Sequence, residues 1–137
     1  PGPLSCPCGF HTSLRVKDVR TARVEGLQGL RYRDKTAAWA ERTEEATALV
    51  AVGETDRVYL AAPHRLRVRD DKRIIRVESS GFANVVVWNP GPAGDGRFDF
   101  APGEWAKFIC VEPATVFEPI VLKPGATWEG RQELALE

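Results

Sequence analysis

Apolar and polar positions alternate with a period of two along much of this chain, the pattern of half-buried strands. In "FHTSLRVKDV", Thr12, Leu14 and Val16 alternate with His11, Ser13 and Arg15. "HRLRVRDDKRIIRVES" reads as two alternating strands about an Asp70–Asp71 turn, a hairpin. "TARVEGLQGLRYRDK" reads as a strand interrupted by Gly26 and Gly29. "DRVYLAA", "NVVVWNP", "AKFICVE", "PIVLKPG" and "ATWEGRQELAL" supply further strands, and "GPAGDGRFDFAPGEW" is a glycine- and proline-rich loop. Residues 36–48, "TAAWAERTEEATA", have helix-forming composition and read as a short helix or a polar connection. The opening "PGPLSCPCG" has loop or tail composition. The pattern therefore predicts an irregular tail over 1–9 and one domain over 10–137, all-β, built as an antiparallel sandwich or barrel.

Composition removes several function classes. Lysine plus arginine equals aspartate plus glutamate at 19 each, so no net field draws the chain to nucleic acid or an anionic membrane. No apolar run approaches the ~20 residues of a membrane helix. The chain starts at Pro1 and has no methionine, so its true start is expected to lie elsewhere. A cytoplasmic location is expected, with a plastid or other organelle left open. Three cysteines, Cys6, Cys8 and Cys110, do not make a disulfide framework. Cys6 and Cys8 with His11 fall short of the four ligands of a structural metal site, so free thiols and no metal are expected.

The chemistry narrows to few side chains. There is no phosphate-binding loop, dinucleotide fingerprint, zinc-protease helix or nucleophile elbow. In "FICVEPATV", period two puts Ile109 and Val111 on one face and Phe108, Cys110 and Glu112 on the other. A carboxylate sharing a face with a phenylalanine and a cysteine must be hydrogen-bonded, paired or functional. Glu112 can serve as a general base and His11, ordinarily titrating near ~6.5, as its partner acid. Asp56 can accept hydrogen bonds from a hydroxyl-rich ligand. Each also has an ordinary account: Asp56 paired with Arg57 or another arginine, Glu112 closing a turn before Pro113, His11 exposed on a strand. The hairpin carries Arg65, Arg67, Arg69, Arg73 and Arg76, which form either a solvated sheet face or a phosphate patch.

"GETDRVYL", "NVVVWNPGP" and "FICVEPATVFEPIVLKPGATWEG" occur in an order that resembles the glucose-6-phosphate 1-epimerase group of the aldose 1-epimerase, or galactose mutarotase-like, superfamily. "VRTARVEGLQGLRYRDK" is similar to the family segment after its histidine strand. The resemblance runs from about Phe10 to the end and corresponds to the C-terminal half of the family domain. It implies an antiparallel β-sandwich whose sheet holds a sugar. It implies that Glu112 takes the C1 hydroxyl proton while His11 protonates the ring oxygen, opening the ring so that it recloses as the other anomer. Asp56 would bind sugar hydroxyls and help orient the histidine, and Trp88 and Phe108 would line the cleft. Both transfers move protons, so no cofactor is implied. Hexose 6-phosphate or a free aldose is the implied substrate, with Arg67 and Arg69 the local candidates for phosphate contact.

The sequence departs from the family at its histidine strand and in the preceding "PGPLSCPCG", which does not resemble the family. The family's His-Thr-Tyr-Phe reads His-Thr-Ser-Leu here. Two readings follow, an isomerase of hexose 6-phosphate anomers and a non-catalytic sugar-binding β-domain. Half a sandwich is also expected to expose strand edges and to self-associate through them.

Overall fold

The computed structural model describes residues 2–97 and 99–137. Thirteen strands follow one another among them. They are β1 (Leu4–Cys6), β2 (Ser13–Arg15), β3 (Arg23–Glu25), β4 (Arg31–Asp34), β5 (Ala40–Thr43), β6 (Ala48–Leu49), β7 (Thr55–Tyr59), β8 (Arg65–Asp70), β9 (Arg73–Ser80), β10 (Asn84–Asn89), β11 (Phe108–Ala114), β12 (Ile120–Leu122) and β13 (Arg131–Leu136). A six-stranded sheet runs β2-β11-β10-β7-β4-β5 and a five-stranded sheet runs β13-β9-β8-β3-β6. All of their pairings are antiparallel. No helix among the described residues is long and apolar enough to cross a membrane.

Alternation explains why two sheets form and how they meet. Leu14, Tyr32, Tyr59, Val85, Val87, Ile109 and Val111 from the first sheet meet Val24, Leu49, Leu66, Val68, Ile75 and Val77 from the second. Full burial of a Val, Leu or Ile side chain is worth ~1.5–3 kcal/mol, so this shared layer is the main cohesive force of the fold. The expected antiparallel sandwich is the fold observed. The β8–β9 hairpin turns at Asp71, which adopts a left-handed φ of 54°. Buried Asp70 fixes that turn, accepting from the Lys17 amide at 2.9 Å and from Arg73 at 2.9 Å.

Three local expectations change. The segment expected to be a tail contains β1, which pairs antiparallel with β12, and Gly9 bridges to Ala114. Residues 36–48 form no α-helix. Asp34 caps a short 3-10 turn over Lys35–Ala37, Ala38 and Trp39 go left-handed, and β5 then folds back on β4. Such composition lacks an apolar stripe to hold a helix against the core, so pairing with a strand prevails. "FICVEPATV" is a strand through Pro113 to Ala114, so only the alternative account of Glu112 closing a turn is replaced, and the Pro113 carbonyl accepts the Phe10 amide at 3.1 Å.

Buried Glu44 is the polar centre of the sandwich, at 5% exposure. It accepts from the Arg57 guanidinium at 2.6 Å and from the Tyr59 hydroxyl at 2.8 Å. Arg57 also lies over the Tyr32 ring, 4.6 Å from its centroid. Burial and the neighbouring Glu44 carboxylate push the Tyr59 hydroxyl far up, so it stays a donor. Arg57 is thus committed to the interior and leaves Asp56, its neighbour on β7, to face the other way.

Candidate active site

Strand pairing assembles the site on the outer face of the six-stranded sheet. Register places Trp88 opposite both Cys110 and Asp56, and Cys110 opposite Ser13. One row across four strands therefore reads Ser13, Cys110, Trp88, Asp56. The next row places Glu112 opposite Val86, Val86 opposite Val58, and Val58 opposite Arg33. Their strand neighbours Ile109, Val111, Val85 and Val87 face the core, so the alternation expected of "FICVEPATV" is the one observed.

His11 precedes β2, but its backbone keeps the same pairing. The Val111 amide donates to the Thr12 carbonyl at 3.1 Å, next to the Phe10–Pro113 bond. His11 is thereby set beside Glu112, and its Nδ1 contacts the Glu112 Oε1 directly. The two side chains differ in access: His11 is 68% exposed and Glu112 16%. Burial raises the Glu112 carboxyl above its ordinary range, opposed by contacts with His11 and Cys110, while the Asp56 charge adds to the rise. A shielded carboxylate beside an open imidazole is an arrangement that can take a proton at one atom of a ligand and return one at another.

Aromatic rings border this pair. The Trp88 ring is 5.8 Å from His11 and 5.9 Å from Phe108, and Phe100 lies 5.2 Å from Phe108, all centroid to centroid. Beyond Phe108 an open groove of about 540 Å³ is lined by Ser13, Arg15, Phe100 and Lys107, among others. Asn89 sets the start of β11: its buried amide donates to the Trp105 and Phe108 carbonyls, each at 2.8 Å.

The remaining expected residues divide. Asp56 lies on the Glu112 face, but its ionic partner is Lys35, at 2.9 Å, rather than an arginine or the histidine. Lys35 also sits over the Trp39 ring at 5.6 Å, and Arg33 over Phe117 at 4.9 Å. Arg67 and Arg69 are not brought to the site. Leu66 and Val68 turn inward on β8, so the arginines between them project from the outer side of the five-stranded sheet, across the core from Glu112. There Arg69 pairs with Glu25 at 2.9 Å and Arg67 with Glu137 at 3.2 Å. Both arginines therefore lie away from the Glu112 face. Sequence reasoning missed Ser13, Lys35 and Gln132, whose relation to the site depends on pairing between distant segments. Gln132 of β13 accepts from the Thr12 hydroxyl and donates to the Val111 carbonyl at 3.1 Å.

His11 and Glu112 thus meet on the outer face of an antiparallel sandwich, bordered by indole and phenyl rings. The sequence pattern of the aldose 1-epimerase family matches residues 3–135, and the chain belongs to that family. It is 40% identical over 136 residues to a Cenchrus ciliaris protein named "Putative glucose-6-phosphate 1-epimerase", covering 97% of this chain and 41% of that protein. A protein of the same name from Escherichia coli K12 is 34% identical over 120 residues, covering 85% of this chain and 40% of its own length. Among solved structures, "a putative mutarotase (YeaD)" from Salmonella typhimurium superposes with a TM-score of 0.90 at 27% identity, covering 99% of this chain and 47% of that one. The chain thus spans about two fifths of the length of these curated relatives. The match from residue 3 also brings most of the expected tail within the family domain.

Proposed function

We propose that this chain carries the acid–base centre of an aldose 1-epimerase acting on hexose 6-phosphate. The direct contact between His11 and Glu112 carries this reading. The Glu112 carboxylate takes the proton from the C1 hydroxyl. Protonated His11 gives its proton to the ring oxygen as the C1–O5 bond breaks and C1 becomes a carbonyl. Rotation about C1–C2 presents the other carbonyl face, and the reverse transfers close the ring as the second anomer. His11 must move off Glu112 to admit the sugar, and its exposed side chain leaves room for that movement. Positioned acid and base groups each contribute ~10²–10⁴-fold, enough for a reaction that already proceeds in water. Trp88 and Phe108 offer apolar surface to the ring, and Asp56 offers acceptors to its hydroxyls.

Phosphorylated sugar is favoured over free sugar by cations on the same face. Lys35 stands against Asp56, and Arg15 lines the groove beside Phe108. The names of the relatives agree with this preference. The test is magnetisation exchange between the α and β signals of glucose 6-phosphate with the purified chain. Exchange that depends on protein and vanishes in Glu112→Gln supports the proposal. Exchange that survives in Glu112→Gln sinks it.

A second reading is a sugar-binding domain without turnover. Its support is the share of the relatives that the chain spans. It predicts saturable binding of glucose 6-phosphate and no exchange in either variant.

A further inference from the structure

The His11–Glu112 pair has a third potential ligand beside it. The Cys110 thiol is buried on the same face, and the Ser13 hydroxyl stands 3.2 Å from its sulfur. One ligand atom each from His11, Cys110 and Glu112 lies within 4.8 Å of the other two. Zinc binds sulfur at ~2.3 Å and nitrogen or carboxylate oxygen at ~2.0–2.2 Å, which in tetrahedral geometry sets ligand atoms about 3.5 Å apart. Reaching that spacing takes a shift of about an ångström or so. His11 has the freedom to make it, since its side chain is largely exposed. The set also suits a soft divalent ion chemically: one thiolate, one imidazole and one carboxylate balance a charge of two, and three protein ligands leave a fourth position for water.

We propose that His11, Cys110 and Glu112 form a binding site for a thiophilic divalent cation of the zinc class. Coordination engages the imidazole and the carboxylate together and releases the Cys110 proton to solvent. A bound ion therefore keeps both groups from sugar chemistry. Inhibition rests on the anomer-exchange reading above; binding does not. The terminal pair Cys6 and Cys8 supplies the competing thiols, and Cys6 sits on β1, paired to Ile120 rather than to β11.

Cadmium reports on this site directly, because a coordinated thiolate gives an ultraviolet charge-transfer band whether or not the chain turns over sugar. Cd²⁺ titration of the full chain should give this band at one equivalent, and titration with Zn²⁺ by calorimetry should give the same stoichiometry. Both signals should persist in the Cys6→Ser, Cys8→Ser double variant and disappear in Cys110→Ala. His11→Ala alters an exposed side chain and tests the site without disturbing the core; it should weaken Cd²⁺ binding at least tenfold, and circular dichroism checks that both variants fold. A band that survives in Cys110→Ala and is lost with Cys6 and Cys8 would overturn the proposal, as would no band at all in the native chain. Unchanged affinity in His11→Ala would overturn it as well.

Discussion

The Gln132 side chain donates to the Val111 carbonyl at 3.1 Å and so ties β13 of one sheet to β11 of the other. The same amide accepts from Thr12, the residue after His11. One side chain thereby braces both segments that carry the proposed acid–base pair, without a hydrogen bond to either group. Gln132→Ala is expected to lower the anomer-exchange rate by about ten- to a hundredfold, since small misplacements of reacting groups carry costs of that order. Affinity for glucose 6-phosphate should change by less than about threefold, because the binding surface is intact. Exchange spectroscopy and isothermal titration separate the two effects; a parallel loss of both would assign Gln132 to ligand binding instead.

Glu112 should leave a mark on both rate and stability as pH changes. Burial raises its carboxyl above the ordinary 4.5. Between the ordinary and the raised value the folded chain holds more protons than the unfolded one, so stability contributed here falls as pH rises through that window. The proposed base is the ionised form, so exchange should rise through the same window. Rate–pH and denaturation–pH profiles check this together, and Glu112→Gln should remove its part of the stability change. An acid limb at or below the ordinary carboxylate value would contradict the burial argument.

Lys35 is the side chain through which phosphate preference is most open to test. Its amine lies 2.9 Å from Asp56 on the Glu112 face. Lys35→Ala should weaken glucose 6-phosphate binding about tenfold, in keeping with loss of a charge-assisted contact, and leave free glucose within about threefold. Titration of both sugars against both variants is the measurement. Equal losses for the two would show that Lys35 acts by holding Asp56 rather than by meeting phosphate.

Glu44 should matter more to folding than any carboxylate on the arginine-bearing sheet face. Removing one member of a buried, hydrogen-bonded ion pair costs about 3–5 kcal/mol, because the remaining charge is stranded. Glu44→Ala strands Arg57 and leaves the Tyr59 hydroxyl without its acceptor. Its denaturation midpoint should fall steeply, whereas Glu78→Ala, which removes the half-buried partner of exposed Arg65, should shift the midpoint less, because the freed guanidinium remains in water. Urea unfolding of the two variants decides between these expectations.

Period-two alternation was enough to read most strands of the sandwich, the β8–β9 hairpin and the two faces of β11, but it missed β5 and β6 and ran β3 and β4 together as one interrupted strand although they lie in different sheets. The same alternation set Glu112 apart, since a carboxylate beside Phe108 and Cys110 breaks the local rule. It could not show that Thr12 meets Gln132, or that Lys35 rather than Arg57 faces Asp56. Those relations depend on how far-apart strands register, and register is set by the whole core. The arginines of β8 illustrate the converse. Their spacing showed one polar face but not which side of the molecule it would occupy, and that side is opposite the Glu112 face. β1 was hidden by the prolines and glycines that flank it, which punctuate a loop and the ends of a short edge strand alike.

His11 and Glu112 are separated by 101 positions along the chain. Their meeting requires β2 to dock along β11, with about three quarters of the polypeptide closed as a loop between them. Contacts of such long range are costly in entropy and tend to form slowly. Closure of the His11–Glu112 contact is then a late event in refolding, following the local hairpins, and a partly folded chain would show strand content well before these two side chains meet.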